Sequence, residues 1–203
     1  HPRVIAAAKA QLDRCTHAAF QVSAYECYIE LCERLNALAP IEGPAKTILF
    51  STGAEAVENS IKIARAATRR SAVIAFTGGF HGRSFMAMSL TGKTAPYKRS
   101  FGPLPGEIFH VPLPVAHFGV SVEDSLHAIE QVFKADVAAD EVAAIILEPV
   151  QGEGGFHQAP PELMRALRAM CDQHGIALIA DEVQAGIGRT GRWFGIEHSG
   201  VKP

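Results

Sequence analysis

The stretch Val142–Glu182, VAAIILEPVQGEGGFHQAPPELMRALRAMCDQHGIALIADE, decides the fold class of this chain. Two short apolar runs, VAAIILE and IALIADE, flank PPELMRALRAMCDQHG, in which apolar residues recur at helical spacing. Because both runs are continuously apolar rather than alternating, they are typical of strands that are buried on both faces. A strand, a helix and a second strand in this order predict two parallel strands joined by a crossover helix.

The same alternation occurs nearer the start of the chain. KTILFS (46–51) and SAVIAFT (71–77) are predicted strands, and GAEAVENSIKIARAAT (53–68) between them is a predicted helix with an apolar stripe. A further helix is predicted for SVEDSLHAIEQVFKA (121–135). These elements predict an α/β fold with a mostly parallel sheet and helices on both faces. The Gly- and Pro-rich segment 91–114 is longer than the usual connection between two elements of a compact domain, so we expect a functional or interface loop there.

The predicted organisation has two parts. Helical periodicity over 2–15 and 25–38 indicates an N-terminal helical segment, residues 1–45, that leads into a domain over 46–203. The chain starts within a helical pattern and ends at SGVKP without a closing element. We therefore expect it to be a piece of a longer protein.

Composition narrows the class of function. With 203 residues, 48% of them hydrophobic and 20% charged, the chain is long enough to bury a core. A formal net charge of -2 gives no basic surface for nucleic acid, so we expect a small-molecule partner. No apolar run approaches the roughly 18 residues of a membrane span, and no signal peptide is evident, so we expect a soluble, cytoplasmic protein. The four cysteines lack C-x-x-C spacing and a paired histidine motif, which predicts reduced thiols rather than a disulfide framework or zinc.

Ligands bind at the carboxyl ends of parallel strands, and unusual residues follow the predicted strands. In FSTGAEAVEN, Gly53 opens a helix whose first N–H groups can hold an anion such as a phosphate. Alternatively, Ser51 or Thr52 caps an ordinary strand-to-helix turn. The stretch is neither a Walker loop nor a dinucleotide fingerprint.

The second strand is followed by TGGFHGRS. An aromatic ring at Phe80 and a guanidinium at Arg83 indicate a platform for a ligand ring and a receptor for an anion. His81 either belongs to this site or is a hydrogen-bonded turn histidine.

Carboxylates follow the last two strands. Glu148 and Glu153 in ILEPVQGEGG can form an acid/base pair or hold a metal. A metal site is disfavoured because no histidine or third acid completes a ligand set. We therefore favour a role as a gate or as a polar anchor on the substrate side of the site. Asp181 follows five apolar residues, so its carboxylate should be partly desolvated and should need a cationic partner. A protonated ring nitrogen can be that partner; the alternatives are a helix cap or a pair with Arg189.

A pyridoxal phosphate site combines three features that are predicted here: a helix N-terminus that binds a phosphate, an aromatic face and a carboxylate for a pyridinium nitrogen. On this interpretation, Asp181 keeps the ring nitrogen of the cofactor protonated. The ring can then accept electrons from the substrate.

The motifs STGAEAVENSIKIARAAT, FHGRS, EPVQGEGG and ADEVQAGIGRTG resemble those of the class III pyridoxal phosphate aminotransferases, in order and over essentially the whole chain. The resemblance implies the aspartate aminotransferase fold, of which this chain would be an incomplete large domain without the C-terminal small domain. It also implies a homodimer. Within the family the likeness is strongest to enzymes of 4-aminobutyrate.

The resemblance also implies roles for the cofactor-binding residues. Gly53 and Ala54 would donate backbone N–H groups to the phosphate, and Phe80 and Val183 would pack on the two faces of the ring. His81 lies in the same cofactor motif.

Further roles follow from the resemblance at the reacting end of the site. Asp181 would pair with the ring nitrogen and would be the catalytic residue of this chain, and Gln184 would approach the phenolic oxygen. Arg83 would receive the distal carboxylate of an ω-amino acid. Glu153 would cover or release a second substrate-binding arginine that is not in this chain.

The implied reaction transfers the amino group of 4-aminobutyrate to 2-oxoglutarate, giving succinate semialdehyde and glutamate in a ping-pong cycle. Relatives that act on 5-aminovalerate, ornithine or acetylornithine share the cofactor motifs and stay as alternatives. The Schiff-base lysine of the family follows a KPDL segment, whereas this sequence stops at Lys202-Pro203. The chain alone is therefore expected to be inert, and a non-catalytic binding fragment is the alternative from another class.

Overall fold

A computed structural model describes all 203 residues and contains six α-helices and six β-strands. The helices are α1 Pro2–Arg14, α2 Glu26–Leu38, α3 Gly53–Thr68, α4 Phe85–Leu90, α5 Val122–Ala135 and α6 Pro161–His174. The strands are β1 Ala72–Phe76, β2 Ile108–Val111, β3 Val142–Leu147, β4 Val150–Gln151, β5 His157–Gln158 and β6 Ala177–Ala180. Four strands form a parallel sheet in the order β2-β1-β3-β6, and β4 pairs antiparallel with β5.

The predicted mostly parallel α/β fold is confirmed, with two corrections to its strands. Residues 46–51, the predicted strand KTILFS, have no strand conformation. A strand is defined by its ladder of hydrogen bonds, and no strand of these 203 residues pairs with this run. The segment 91–114, predicted to be a loop, contains β2, which pairs in parallel with β1.

The sheet is covered on both faces because alternate side chains of each strand point to opposite sides. On one face, residues such as Ile74 and Ile145 pack with α5 and α6 in a core cluster. On the other face, Val73 and Ile146 pack against the apolar stripe of α3 and against α4. All residues of β1 and β3 are buried, which agrees with their continuously apolar sequences.

The carboxyl edge of this sheet brings the predicted site residues together. β1, β3 and β6 are adjacent and parallel, and Leu147 is paired with Ala180 in the register of β3 and β6. Glu148 and Asp181, the next residue of each strand, therefore emerge side by side. Because the connections after β1 and β2 run in opposite directions along the sheet, the boundary between β1 and β3 is a topological switch point, where open α/β sheets bind ligands.

The chain divides into two compact units. The first comprises His1–Ala39 and Gly43–Ile48, and neither of its helices, α1 or α2, has a buried residue. The second comprises Pro40–Glu42 and Leu49–Pro203 and contains the whole sheet. None of the helices is both long and apolar enough to cross a bilayer.

Candidate functional site

The N-terminus of α3 is the point on which the strand-end loops converge. A Cβ on Gly53 would lie 2.7 Å from Cγ1 of Val183, so glycine is needed for the loop after β6 to approach the helix. Gly82, with a φ of +126°, packs so that a Cβ there would lie 2.7 Å from Cβ of Ala54. The loop after β1 therefore contacts the same helix end, because no side chain separates the two backbones.

The first turn of α3 has two free N–H groups. Thr52 is the N-cap, and its Oγ1 accepts from the N–H of Glu55 at 3.1 Å. The Glu55 carboxylate in turn accepts from the N–H groups of Ser51 and Thr52, at 2.9 and 3.1 Å. The N–H groups of Gly53 and Ala54 have no such partner, so this helix end has both a cap and two backbone donors that are available to an anion.

Asp181 is buried, with 7% of its surface exposed, and pairs with a histidine rather than with Arg189. Its Oδ2 lies 2.7 Å from Nδ1 of His81, and its Oδ1 accepts from the N–H of Val183 at 3.1 Å. The N–H of His81 donates to Thr91 Oγ1 at 3.1 Å. The histidine is thus both a hydrogen-bonded turn residue and the partner of the buried acid, which fixes the direction in which the carboxylate points.

His81 also has an unsatisfied atom. Its Nε2 is buried and has no hydrogen-bond partner. A hydrogen bond from Nδ1–H to Asp181 leaves Nε2 of the neutral ring as an acceptor.

Phe80 and Arg83 lie on one loop but in different surroundings. Phe80 is half-buried, and its N–H donates to Oε2 of Glu148 at 2.9 Å. Arg83 is exposed and makes no ion pair, although its Cζ lies 5.9 Å from the ring centroid of Tyr97. The guanidinium therefore has no anionic partner within the chain, and its role as an anion receptor stays a prediction.

The two glutamates after β3 differ in what they can do. The Glu148 carboxylate is buried and accepts from two backbone N–H groups, of Phe80 through Oε2 and of Gly152 through Oε1 at 3.2 Å. It therefore ties the loop after β1 to the glycine-rich turn that follows β3. Glu153 is exposed, and its Oε2 accepts from the hydroxyl of Tyr97 at 3.1 Å.

Burial raises the pKa of the Glu148 carboxyl above its ordinary value near 4.5, and the nearby charge of Asp181 raises it further. Hydrogen bonds from the N–H groups of Phe80 and Gly152, together with the nearby His81, lower this pKa but only partly offset the rise. A raised folded-state pKa contributes stability that is fully present below about pH 4.5 and is lost as the pH rises through the folded-state value. We expect wild type to lose free energy of unfolding relative to Glu148→Gln over that range. Urea unfolding of both proteins at pH 4.5 and pH 8 measures this, and a pH-independent difference contradicts it.

Two carboxylates that the sequence analysis missed fix the loops of the site. Glu58 on α3 accepts from Ser84 Oγ at 2.6 Å and from the N–H of Met86 at 3.0 Å, which caps the short helix α4. Glu182 accepts from the N–H groups of Gly195 and Ile196, at 2.9 and 2.8 Å. Both acids lie within the motifs, but sequence does not reveal which distant backbone groups a carboxylate reaches.

Val183 and Gln184 lie on the solvent side of the site. Val183 is 65% exposed although it touches Gly53, so an apolar surface is available beside the free N–H groups of α3. Gln184 is exposed and lies so close to Gly152 that any Cβ there would overlap its side-chain amide. The arrangement as a whole can hold an anion at α3, a flat ring against apolar side chains and a cation at Asp181.

Residues 1–203 match the family model described as Aminotransferase class-III. The chain is 57% identical to the 5-aminovalerate aminotransferase DavT of Pseudomonas putida (strain KT2440), over 100% of this chain and 48% of that protein. It is 52% identical to the 4-aminobutyrate aminotransferase GabT of Escherichia coli (strain K12), again over 100% of this chain and 48% of the relative. The chain thus spans about half the length of these curated relatives.

Solved structures show the same likeness. An (S)-enantioselective omega-transaminase from Thermomicrobium roseum superposes with a TM-score of 0.90 at 33% identity, over 100% of this chain and 48% of that chain. An amine transaminase from an uncultivated Pseudomonas species, in a pyridoxal phosphate-bound form, superposes with a TM-score of 0.89 at 31% identity. That match covers 98% of this chain and 48% of the other.

Proposed function

Because the chain belongs to the class III aminotransferase family, we propose that the full-length protein transfers the amino group of a short ω-amino acid to a 2-oxo acid. The resemblance and the name of the Escherichia coli relative support 4-aminobutyrate as donor, and the resemblance alone supports 2-oxoglutarate as acceptor. The resemblance also supports a homodimer and a Schiff-base lysine that is not among these 203 residues.

The cofactor of the family is pyridoxal phosphate, and the geometry of the site fits it. The free N–H groups of Gly53 and Ala54 suit its phosphate, because a helix N-terminus favours an anion. The exposed face of Val183 and the ring of Phe80 suit a flat heteroaromatic ring. The buried carboxylate of Asp181 suits a protonated ring nitrogen, which is the cationic partner that its burial requires.

Pyridoxal phosphate, when bound, supplies an electron sink for the carbanion that forms at the carbon bearing the amine. The residues of this chain supply position and charge. His81 holds Asp181 through a 2.7 Å bond, and the Val183 N–H holds its other oxygen, so the direction of the carboxylate is fixed and it would be available to the ring nitrogen of a bound cofactor. Asp181 can then keep a proton on that nitrogen.

The observation that favours an ω-amino acid is the unpaired guanidinium of Arg83. It is exposed, lies three residues after Phe80 and has no carboxylate partner in the chain. A planar guanidinium binds carboxylates in a bidentate manner, so it can hold the end of a substrate whose other end carries the amine. The sequence motifs that surround it are shared with relatives that act on 5-aminovalerate, and the 57% identity to one of them favours this as the second candidate substrate.

A single-turnover experiment tests the proposed function. The full-length holoenzyme is mixed with 4-aminobutyrate, 5-aminovalerate or ornithine, and conversion of the cofactor to its amine form is followed by absorbance. We expect conversion with the first two substrates and at least tenfold lower efficiency with ornithine, because ornithine carries an additional α-ammonium beside its carboxylate, and this cation would lie near the Arg83 guanidinium. Conversion by none of the three contradicts the proposed function, and a preference for ornithine contradicts its substrate class.

A further inference from the structure

Tyr97 contacts three candidate site residues, Phe80, Arg83 and Glu153, for which different roles are expected. It lies in the long connection between α4 and β2 and is half-buried. Its ring centroid is 4.9 Å from that of Phe80, and the Cζ atom of Arg83 is 5.9 Å from its ring centroid. Its hydroxyl donates to Oε2 of Glu153 at 3.1 Å. One side chain therefore joins the aromatic platform, the free guanidinium and the exposed acid.

The contact with Arg83 restricts the guanidinium without neutralising it. A cation over an aromatic face is attracted by the ring quadrupole, and its N–H groups stay free for a carboxylate. Arg83 has no ion pair, so the ring of Tyr97 is the feature that limits where the guanidinium lies.

The contact with Glu153 gives this acid a partner other than the guanidinium. Glu153 stands in a turn with Gly152 and Gly154, and the hydroxyl of Tyr97 is its one side-chain partner. Burial and this hydrogen bond raise the pKa of Tyr97, and the nearby charge of Arg83 opposes the rise, so the phenol stays a donor at neutral pH. The phenol thus lies between an unpaired cation and an acid of opposite charge.

We propose that Tyr97 is a positioning residue that keeps Arg83 available to the carboxylate of the substrate, by covering the guanidinium with its ring and by holding Glu153 away through its hydroxyl. This inference rests on the proposed function. Without the hydroxyl, Glu153 is free to pair with Arg83 and competes with the substrate for it.

Tyr97→Phe in the full-length holoenzyme tests the hydroxyl, because the ring is retained. We expect the apparent dissociation constant of 4-aminobutyrate in the single-turnover reaction to rise about fivefold, the range of an exposed ion pair that must be broken. Butylamine has the same carbon chain and amine but no carboxylate, and its constant should change by less than about twofold. Tyr25→Phe is the matched control, because it also removes a tyrosine hydroxyl, at a ring that packs against Phe20 and Tyr28.

A second variant separates competition by Glu153 from a general disturbance of the loop. Adding Glu153→Gln to Tyr97→Phe removes the competing charge, so the constant for 4-aminobutyrate should lie within about twofold of that of Glu153→Gln alone. Failure of this rescue, equal losses for both amines, or no change in Tyr97→Phe overturns the inference while leaving the proposed function intact. Failure of wild type to convert any ω-amino acid overturns both.

Discussion

Asp181→Asn is expected to lower the rate of amino-group transfer in the full-length holoenzyme by about a hundredfold, equivalent to about 2.7 kcal/mol. A charge-assisted hydrogen bond contributes about 1.5 to 3 kcal/mol, and here it acts most strongly when the ring accepts electrons. Asparagine retains the shape of the side chain and one acceptor oxygen. That oxygen can still accept from the Val183 N–H, while the amide NH2 faces Nδ1 of His81 and can donate to it once the imidazole proton moves to Nε2, so the main change is the lost charge.

Stopped-flow measurement of each half-reaction, beside the affinity for pyridoxal phosphate, checks this prediction. Cofactor affinity should fall much less than the rate, because the phosphate and the ring faces keep their contacts. Asp172→Asn is the matched control, since Asp172 lies on the exposed side of α6 and pairs only with Arg168. Turnover by Asp181→Asn equal to that of the control shows that the buried carboxylate does not act on the ring nitrogen.

The parts of the fold that sequence predicted are those that local pattern determines. β1 and β3 are continuously apolar and are completely buried, and the stripe of Val57, Ile61 and Ala64 on α3 faces the core. The strands run parallel because helices connect them. The α/β class and the confirmed family resemblance both follow from such short-range signals.

Both wrong predictions concern the pairing of strands, which the pattern of one segment does not reveal. The run 46–51 is as β-rich as a true strand but has no partner within these residues. β2 has a partner, and it was missed because its four residues follow a stretch rich in glycine and proline. The β-propensity of a segment depends on its own residues, whereas a strand forms only when a second segment pairs with it.

The candidate site likewise combines positions that the sequence predicted with contacts that it did not. Sequence placed Asp181 and Glu148 at strand ends, and parallel topology makes those ends adjacent. The contacts that give them distinct surroundings join residues 100 and 68 positions apart, His81 with Asp181 and Phe80 with Glu148. Tyr97 was not singled out, because its contact with Glu153 spans 56 positions and depends on the path of an irregular connection.

The second large effect is expected at Arg83. Arg83→Lys should lower the efficiency of the 4-aminobutyrate half-reaction at least tenfold, about 1.4 kcal/mol, and Arg83→Ala should lower it about a hundredfold. Lysine keeps the charge, but it is a point donor that cannot form two parallel bonds to a carboxylate. The guanidinium is exposed and unpaired, so neither substitution removes a structural ion pair and folding should be unaffected.

Measurement with an amine that lacks a carboxylate decides how Arg83 acts. If the guanidinium binds the far end of the substrate, butylamine should be converted equally well by wild type and by both variants, since it has nothing for the guanidinium to hold. Arg34→Lys, on the exposed side of α2, is the control for a change of arginine to lysine away from the loop. Equal losses with both amines assign Arg83 to the fold or to cofactor binding, because only a group that meets the carboxylate can distinguish two substrates that differ in nothing else. The preference for ω-amino acids would then require a residue outside this chain.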